Sequence, residues 1–380
     1  MIKTYKKIKT FFFLEKKLYP EKFNFEKFKL IIDKYSIYKK IICLPDLDFK
    51  IKNFVPSGVV IPTKKYFSPK LLGPNNDSML AIKFSIKSKK IKKKQLNLIF
   101  KMIKNEVSLF RRFNPVVKNN DAKNILKKGS KGLPKSWNIH KNEIKNIFND
   151  GYEKISQNKN MDKLLSSTKL PKTLPTFVKS KSIIDGAKKC IGVLDGTSHF
   201  IDLYKLNNLI NLKECNNYNL KKNNFFFLVH AGSGDPGLIL HHKSLENKNC
   251  KFNLNTKEGT EIYNFSKIAA NFGYVNRIYI YSRIKFILKN IFKDSLENIE
   301  IFSDLPHDYL DLIKEKNIFL HRKGAVKFQK SNAKKKIPYL FPSCPGGDGY
   351  ILISKNNNKT YDCVSHGAGR IVSKKNSLIY

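Results

Sequence analysis

Arginine is scarce in this chain: 6 among 380 residues, against 67 lysines. Tryptophan occurs once and methionine four times. No apolar run approaches the roughly 20 residues a membrane-spanning helix needs, so the sequence offers no such helix. The six cysteines, at 43, 190, 215, 250, 344 and 363, show no paired spacing. That pattern excludes a disulfide framework and predicts free thiols in a reducing, cytoplasmic setting. The opening "MIKTYKKIKTFFFLEKK" carries an apolar cluster too short for a signal-peptide core, with no small-residue cleavage site after it. It reads as mature protein. Acidic residues are also few, 30 against 73 basic ones, which leaves a net charge of +43. Such a surface attracts polyanions in a salt-dependent way. Lysine, asparagine, isoleucine and phenylalanine are all abundant, however, and all have A/T-rich codons, so drift in base composition accounts for much of the charge. Against that background the arginines stand out: Arg111, Arg112, Arg277, Arg283, Arg322 and Arg370. Each carries a planar fork that lysine does not reproduce.

Hydrophobic residues make up 41% of the chain, enough to bury a substantial core. Residues 1–40 read as a basic, partly helical lead-in to the same domain. Short apolar runs bounded by Pro and Gly follow: "IICLPD", "GVVIP" and "MLAIKFSI", all predicted strands. Residues 85–165 form a Lys/Asn-rich insert with helical stretches such as "QLNLIFKMIKNEVSLF", which either reaches a polyanion or is a solvated surface, the latter being the simpler reading. "NNFFFLVHAGSGDPG" is a buried strand entering a glycine loop. "YNFSKIAANFGYVNRIYIYSRIKFILKNIF" is long enough for a helix, with a break expected at Gly273. Strand-then-loop segments alternate beyond it. There is no fixed-period repeat and no clean linker. The expected fold is therefore α+β, one intertwined domain over 41–380 with mixed sheets and flanking helices around a central cleft.

Four of the eight histidines share a placement. His199 ("LDGTSHF"), His230 ("FFLVHAGSG"), His307 ("SDLPHDYL") and His366 ("CVSHGAGR") each lie where an apolar run meets a turn. Strand ends that aim side chains into a common cleft can build a metal site from distant segments. Any one of them alone would more simply be a hydrogen-bonded structural residue. Periodicity takes the argument no further.

Taken together, several segments resemble the RtcB family of RNA ligases. These are "LPDLDFK", "SGVVIPTKKYFSPKLLGPNNDSMLAI", "LDGTSHFIDL", "LVHAGSGDPG", "LPHDYL", "HRKGAV" and the signature-like "SHGAGR". Their order and spacing agree from about residue 40 onward. The resemblance implies a GTP- and Mn²⁺-dependent ligase acting in tRNA splicing or RNA repair. Such a ligase joins 2′,3′-cyclic phosphate or 3′-phosphate RNA ends to 5′-hydroxyl ends. It also implies an archease-like activator as a candidate partner, and no membrane. His366 would become guanylated, since a neutral imidazole is a competent nucleophile. Gly367, Ala368 and Gly369 would let the nucleotide approach closely. His199, His230 and His307, with Asp77 in the place of a family cysteine, would hold two Mn²⁺ ions. Ser198, Phe200 and Asp202 would line the nucleotide, with Ser343, Pro345 and Gly346 of "PSCPGGDG" on its other side. Asp46, Arg322, Lys323, Arg370 and Lys374 would serve the RNA and phosphate groups.

The chain departs from the family pattern at several points. Pro74 stands in the place of a family aspartate, Asp48 in the place of a histidine, and Gly234 in the place of an arginine that holds a phosphate. Lys374 keeps the charge of another arginine without its fork. The family's chain continues further, to a lysine that contacts guanine. These departures keep a second reading open: a divergent relative that binds RNA and metal without ligating, or that only hydrolyses cyclic phosphate.

Overall fold

The computed structural model describes residues 1–15, 19, 23–49, 54–112, 114–156, 160–195, 198–247, 250–331, 336–343, 346–356 and 358–369. The runs of branched and aromatic residues become strands of two main sheets. The six-stranded sheet is ordered Ile2–Tyr5, Ile8–Phe12, Lys40–Asp48, Ser57–Lys64, Ile318–Lys323, Tyr309–Ile313. The four-stranded sheet is ordered Leu296–Pro306, Ser78–Ile86, Phe225–Ala231, Phe200–Lys205. Helices pack on these sheets, so the fold is α+β.

The lead-in is partly helical, as its sequence suggests, but it begins with strands. Residues 2–12 form a β-hairpin, with Ile2 opposite Phe11. Its second strand pairs in parallel with Lys40–Asp48, Phe12 lying beside Cys43. The helix comes afterwards, at Glu26–Lys34, and buries Phe28, Ile31 and Ile32. The short basic hairpin carries too few residues for its period-2 pattern to outweigh the lysines between them. Partnership with a strand some thirty residues away decides its conformation.

The four-stranded sheet reads as near-continuous apolar strands because both of its faces are covered. Leu80, Ile82, Phe84, Phe227 and Val229 face the long helix Lys257–Phe292, while Met79, Ala81, Phe226 and Leu228 face a second cluster with Phe302 and Tyr339. The helix runs unbroken for 36 residues, through Gly273. The glycine marks a close approach: a Cβ there would stand 2.9 Å from the Asn76 carbonyl oxygen. Thr256 caps the helix by accepting the Gly259 N–H at 3.0 Å.

The helix also carries buried polar side chains that hold loops. Asn276 accepts the Gly192 N–H at 2.8 Å and donates to the Val193 and Gly232 carbonyls at 2.9 and 3.2 Å. Asn271 donates to the Leu126 and Glu153 carbonyls. The Lys/Asn-rich segment is thus stitched to the helix. Ile99 and Ile103 of the helix Lys93–Glu106, and Ala122, Ile125 and Leu126 of the helix Asn119–Lys128, belong to the core. Only the outer faces of that segment are solvated.

Candidate active site

Strand register gathers the histidines. In the four-stranded sheet, Met79 lies opposite His230, and Phe200 lies opposite His230 on its other side. Pro306 lies opposite Ser78. Asp77, His199 and His307 are each one residue beyond those paired positions. All four side chains therefore leave the same end of the sheet. Here the sequence reading is refined: His199 enters a strand rather than ending one, because the apolar run before it, Ile183–Cys190, is a helix. The fourth histidine arrives on a separate two-stranded ribbon in which Ser365 pairs with Ala325, and the Ala325 N–H donates to the His307 carbonyl at 3.0 Å.

The rings form a chain. Centroids of His199 and His230 are 4.7 Å apart, those of His230 and His307 5.0 Å, and those of His307 and His366 4.7 Å with the last two stacked. Phe200 packs on His230 at 5.3 Å.

A buried arginine fixes this edge. Arg277, fully buried on the long helix, donates from Nε to Asp304 Oδ2 at 2.8 Å and from Nη1 to the Ala231 carbonyl at 2.8 Å. Its Nη2 donates to Asn76 Oδ1 at 3.1 Å. One guanidinium thereby holds the residues just before Asp77, just after His230 and three before His307. The Ser78 hydroxyl donates to the other oxygen of Asp304. Only a planar fork makes three such bonds in fixed directions. The sequence reading had singled out Arg277 among the arginines but gave it no task.

His366 is held from one side. Its Nδ1 faces Asp46 Oδ2 and lies 3.1 Å from the Gly324 carbonyl, while its backbone N–H donates to Asp46 Oδ2 at 3.1 Å. Asp46 is buried at 3% exposure. Both partners are acceptors, so the proton belongs on Nδ1 and the Nε2 lone pair is left free. The side chain remains 25% exposed, within reach of a substrate. Burial pushes the imidazole pKa down, but Asp46 and then Asp308 outweigh it, and the net shift is upward. Asp46, assigned from sequence to RNA and phosphate, therefore serves the histidine. A carboxylate buried against an imidazole is ill suited to receive a phosphate.

The remaining histidines differ in charge. Burial drives His230 and His307 well below the usual imidazole pKa, so both are neutral. Their Nε2 atoms stand 3.3 Å apart, and neither Nδ1 has a partner. His199 directs Nδ1 at the Leu194 carbonyl and Nε2 at Asp77, 3.6 Å away. Burial opposes ionisation of Asp77, yet the His199 imidazole beside it brings its pKa down to about 2. Among the described residues no three His, Cys, Asp or Glu side chains converge tightly enough to enclose an ion. The donor set nonetheless fits one. Two neutral imidazole nitrogens at 3.3 Å have about the separation they would take on sharing a first-row ion at about 2.1 Å. Asp77 supplies a hard oxygen beside them.

Other sequence-assigned residues are more scattered. Ser198 is exposed, and Asp202 is half-buried with its pKa raised by burial. Ser343 is half-buried and Gly346 exposed. Gly367 looks onto open space, its nearest neighbour being Pro342 at 3.8 Å from a notional Cβ. Gly369 has φ +75° and would drive a Cβ to 2.7 Å from Asp46 Cα. Its smallness thus serves the Asp46 contact as well as any ligand.

Arg322 does not face a ligand. It is fully buried, donating from Nε to Asp311 at 2.6 Å and from Nη1 to the Pro306 and Ala325 carbonyls. It braces the site from within, and its assignment to RNA from sequence is corrected. Lys323 donates to the Val55 carbonyl at 3.1 Å. Gly234, in the place of an arginine, opens the helix Gly234–Ser244, and beside it Arg111 pairs with the buried Asp235. Pro345, Arg370 and Lys374 lie outside the described residues.

Sequence reasoning missed Asp308. It accepts the Gly324 N–H at 2.6 Å and so fixes the carbonyl that holds His366. Burial, and then Asp77, raise its pKa to about 6. A carboxylate directly after His307 was the available signal. Tyr339 was missed as well: its hydroxyl donates to the His366 carbonyl at 2.5 Å.

The chain is similar to known proteins. The chain is 23% identical to the tRNA-splicing ligase RtcB of Methanococcus maripaludis over 66% of its own length and 59% of the relative's. With the protein of the same name from Thermococcus kodakarensis it shares 24% identity over 65% of this chain and 58% of that one. With that from Pyrococcus horikoshii it shares 23% over 65% and 32%. The chain thus spans less than two thirds of the length of each of these relatives. A family model described as tRNA-splicing ligase RtcB matches residues 31–378, nearly the whole chain, and the protein belongs to the RtcB family.

Proposed function

We propose that this protein is an RNA ligase that joins 3′-phosphate or 2′,3′-cyclic phosphate ends to 5′-hydroxyl ends, with tRNA halves or broken RNA as substrate. The observation that carries the reading is the state of His366: Nδ1 is engaged by Asp46 and Gly324, and Nε2 is left as a partly exposed nucleophile. His366 Nε2 attacks the α-phosphorus of GTP and pyrophosphate leaves. A cyclic end is first opened by water, which breaks its P–O2′ bond and leaves a 3′-phosphate. An oxygen of that phosphate then takes the GMP group from the histidine, whose P–N bond breaks. The RNA 5′-hydroxyl then attacks that phosphate and releases GMP. Asp46 orients the ring throughout and stabilises the positive charge that the attacking imidazole acquires.

His199, His230, His307 and Asp77 would hold two Mn²⁺ ions. Bound there, the ions supply Lewis-acid stabilisation of phosphate charge. Neutral His230 and His307 are ready to ligate without first losing a proton. Phe200 keeps the His230 ring in place. An archease-like activator is a candidate partner.

The test is incubation with α-labelled GTP and Mn²⁺. The protein takes up label that is stable to alkali and labile to acid, as a phosphoramidate is. No label would sink the ligase reading. Asp77 in the place of the family's cysteine favours, as a second reading, a relative restricted to cyclic-phosphate hydrolysis. Opening of a 2′,3′-cyclic end by water to a phosphatase-sensitive phosphate that stays on the RNA, in a protein that takes no GTP label, identifies the second reading.

A further inference from the structure

Two cavities of about 590 and 580 Å³ are lined by none of the four clustered histidines. They share Lys131 and Asp150 in their walls, so they are two halves of one trench. The first half is lined by Lys131, Lys154, Lys267, Lys314 and Lys327. The second adds Lys141, Lys145 and Lys336.

The carboxylates in these walls are already engaged. Asp311 pairs with Arg322, Glu300 pairs with Lys83, and Glu153 accepts from Tyr309 and Asn149. Among the described residues, Lys131, Lys141, Lys145, Lys154, Lys314 and Lys327 have no ion-pair partner. Acids elsewhere do find lysines, as in Lys127–Asp162, Lys189–Asp185 and Lys285–Glu143. The eight lysines thus outnumber the four carboxylates in the same walls, Asp150, Glu153, Glu300 and Asp311. Lys267 shows the result: burial first, and Lys314 and Lys154 after it, lower its pKa against the pull of Glu153. Aromatic faces accompany the charge. Half-buried Tyr152 and Tyr263 line the first cavity, with Lys131 Nζ 4.1 Å from the Tyr152 ring and Lys267 Nζ 4.7 Å from that of Tyr263. Cations that track a backbone, combined with rings on which bases stack, are what proteins use to bind single strands without reading sequence.

The trench also starts near the chemistry. Its wall residue Tyr309 follows His307 by two positions. Lys327 is three residues beyond Gly324, whose carbonyl holds His366. Three residues of extended chain span about 10 Å.

We propose that this trench binds the single-stranded RNA segment leading to the reacting end. The inference rests on the ligase reading for its ligand. It assigns a role to lysines of the 85–165 segment that composition alone would treat as drift.

The probe is a 12-nucleotide single-stranded RNA with a 3′-phosphate and a 5′-hydroxyl, its binding followed by fluorescence anisotropy across a salt series. Combining Lys131→Glu, Lys154→Glu and Lys314→Glu weakens binding at least tenfold. It also flattens the slope of log affinity against log salt by about 2, since each phosphate contact on a single strand contributes about 0.7. Reversing the same number of charges on the far hairpin and its neighbour, with Lys7→Glu, Lys9→Glu and Lys39→Glu, changes affinity less than twofold. Should the reversed-charge trench protein fail to fold, the Lys→Gln triple carries the test, with about a fivefold loss. Equal losses in the trench and control proteins would overturn the proposal, as would unchanged binding in the trench variant. A duplex of the same sequence binding as tightly as the single strand would overturn the assignment of a single strand. The ligase reading is scored separately by GTP labelling. A wild-type protein that takes no label but loses RNA with the trench lysines keeps the trench and loses the ligase.

Discussion

The histidine edge and the lysine trench lie within a few residues of each other along the same strands, yet they are built on opposite principles. At the edge the side chains are held by specific partners. Arg277 ties three strand ends together, Asp46 and Gly324 hold one face of His366, and burial keeps His230 and His307 neutral. In the trench most of the lysines lack an ion-pair partner, and the sign of the charge is what they share. Phosphoryl transfer at a particular atom needs preorganised donors and acceptors. Attraction of a polyanion needs only positive potential and some tolerance of position. Losses at the edge should therefore be near total, and those in the trench graded.

The largest loss should come from His366→Ala, which removes the proposed nucleophile. We expect GTP labelling to disappear while the melting temperature is retained, because the ring is partly exposed and packs on His307 alone at close range. Labelling that survives would move the nucleophile elsewhere and would make the edge a structural cluster.

Next in size is a loss of stability. Arg277→Leu removes one partner of a fully buried pair and leaves Asp304 without its countercharge. Breaking a buried pair from one side costs about 3–5 kcal/mol, measurable as a shift in the urea midpoint. The same substitution should weaken Mn²⁺ binding, because Asn76 and Ala231 lose their anchor. A variant of native stability would show that the clamp is not what holds the edge.

Asp46→Asn is a subtler disturbance. Asparagine can still face Nδ1, but the countercharge is gone. Asp46 raises the His366 pKa, so removing its charge lowers it, and the neutral nucleophile persists to more acidic pH. The rising limb of the labelling rate against pH should move to lower pH. The plateau should fall by about 10²-fold or more, as expected when a positioned charge is withdrawn from a general base or nucleophile. A profile that keeps its midpoint would detach Asp46 from the titration of His366.

The contrast also explains what could be read in advance. The four histidines were legible because each sits at the boundary of an apolar run, and boundaries are local features of sequence. That they meet depends on strand register, which is not local: nothing near His230 states that Met79 and Phe200 will flank it. The arginines were legible as exceptions to the lysine bias, but their tasks were not. Arg322 carried the mark of a ligand-binding residue and proved to be an internal brace. At Arg277 and Arg322 the guanidinium fork is used on acceptors inside the protein. The trench was invisible in sequence because its lysines come from the 131–154 segment, the long helix and the strands after it, and composition hides a local excess within a global one.

The smallest expected effects sharpen the comparison best, because they ask whether the edge feels a single methyl group. Gly273 lies inside the long helix, where alanine is normally favoured by about 1 kcal/mol. Here the new Cβ would stand 2.9 Å from the carbonyl oxygen of Asn76, the residue before Asp77. That oxygen belongs to backbone held by Arg277 and yields only by shifting the edge. Overpacking of this kind costs about 1–3 kcal/mol, so Gly273→Ala should destabilise by about 1 kcal/mol net and lower Mn²⁺ affinity a few-fold. Lys131→Ala, in the wall of the trench, should leave both quantities unchanged and reduce RNA affinity by about twofold. If Gly273→Ala instead stabilised the protein as it would a free helix, the edge would have slack to absorb a methyl group. Rigidity would then no longer be what distinguishes it from the trench.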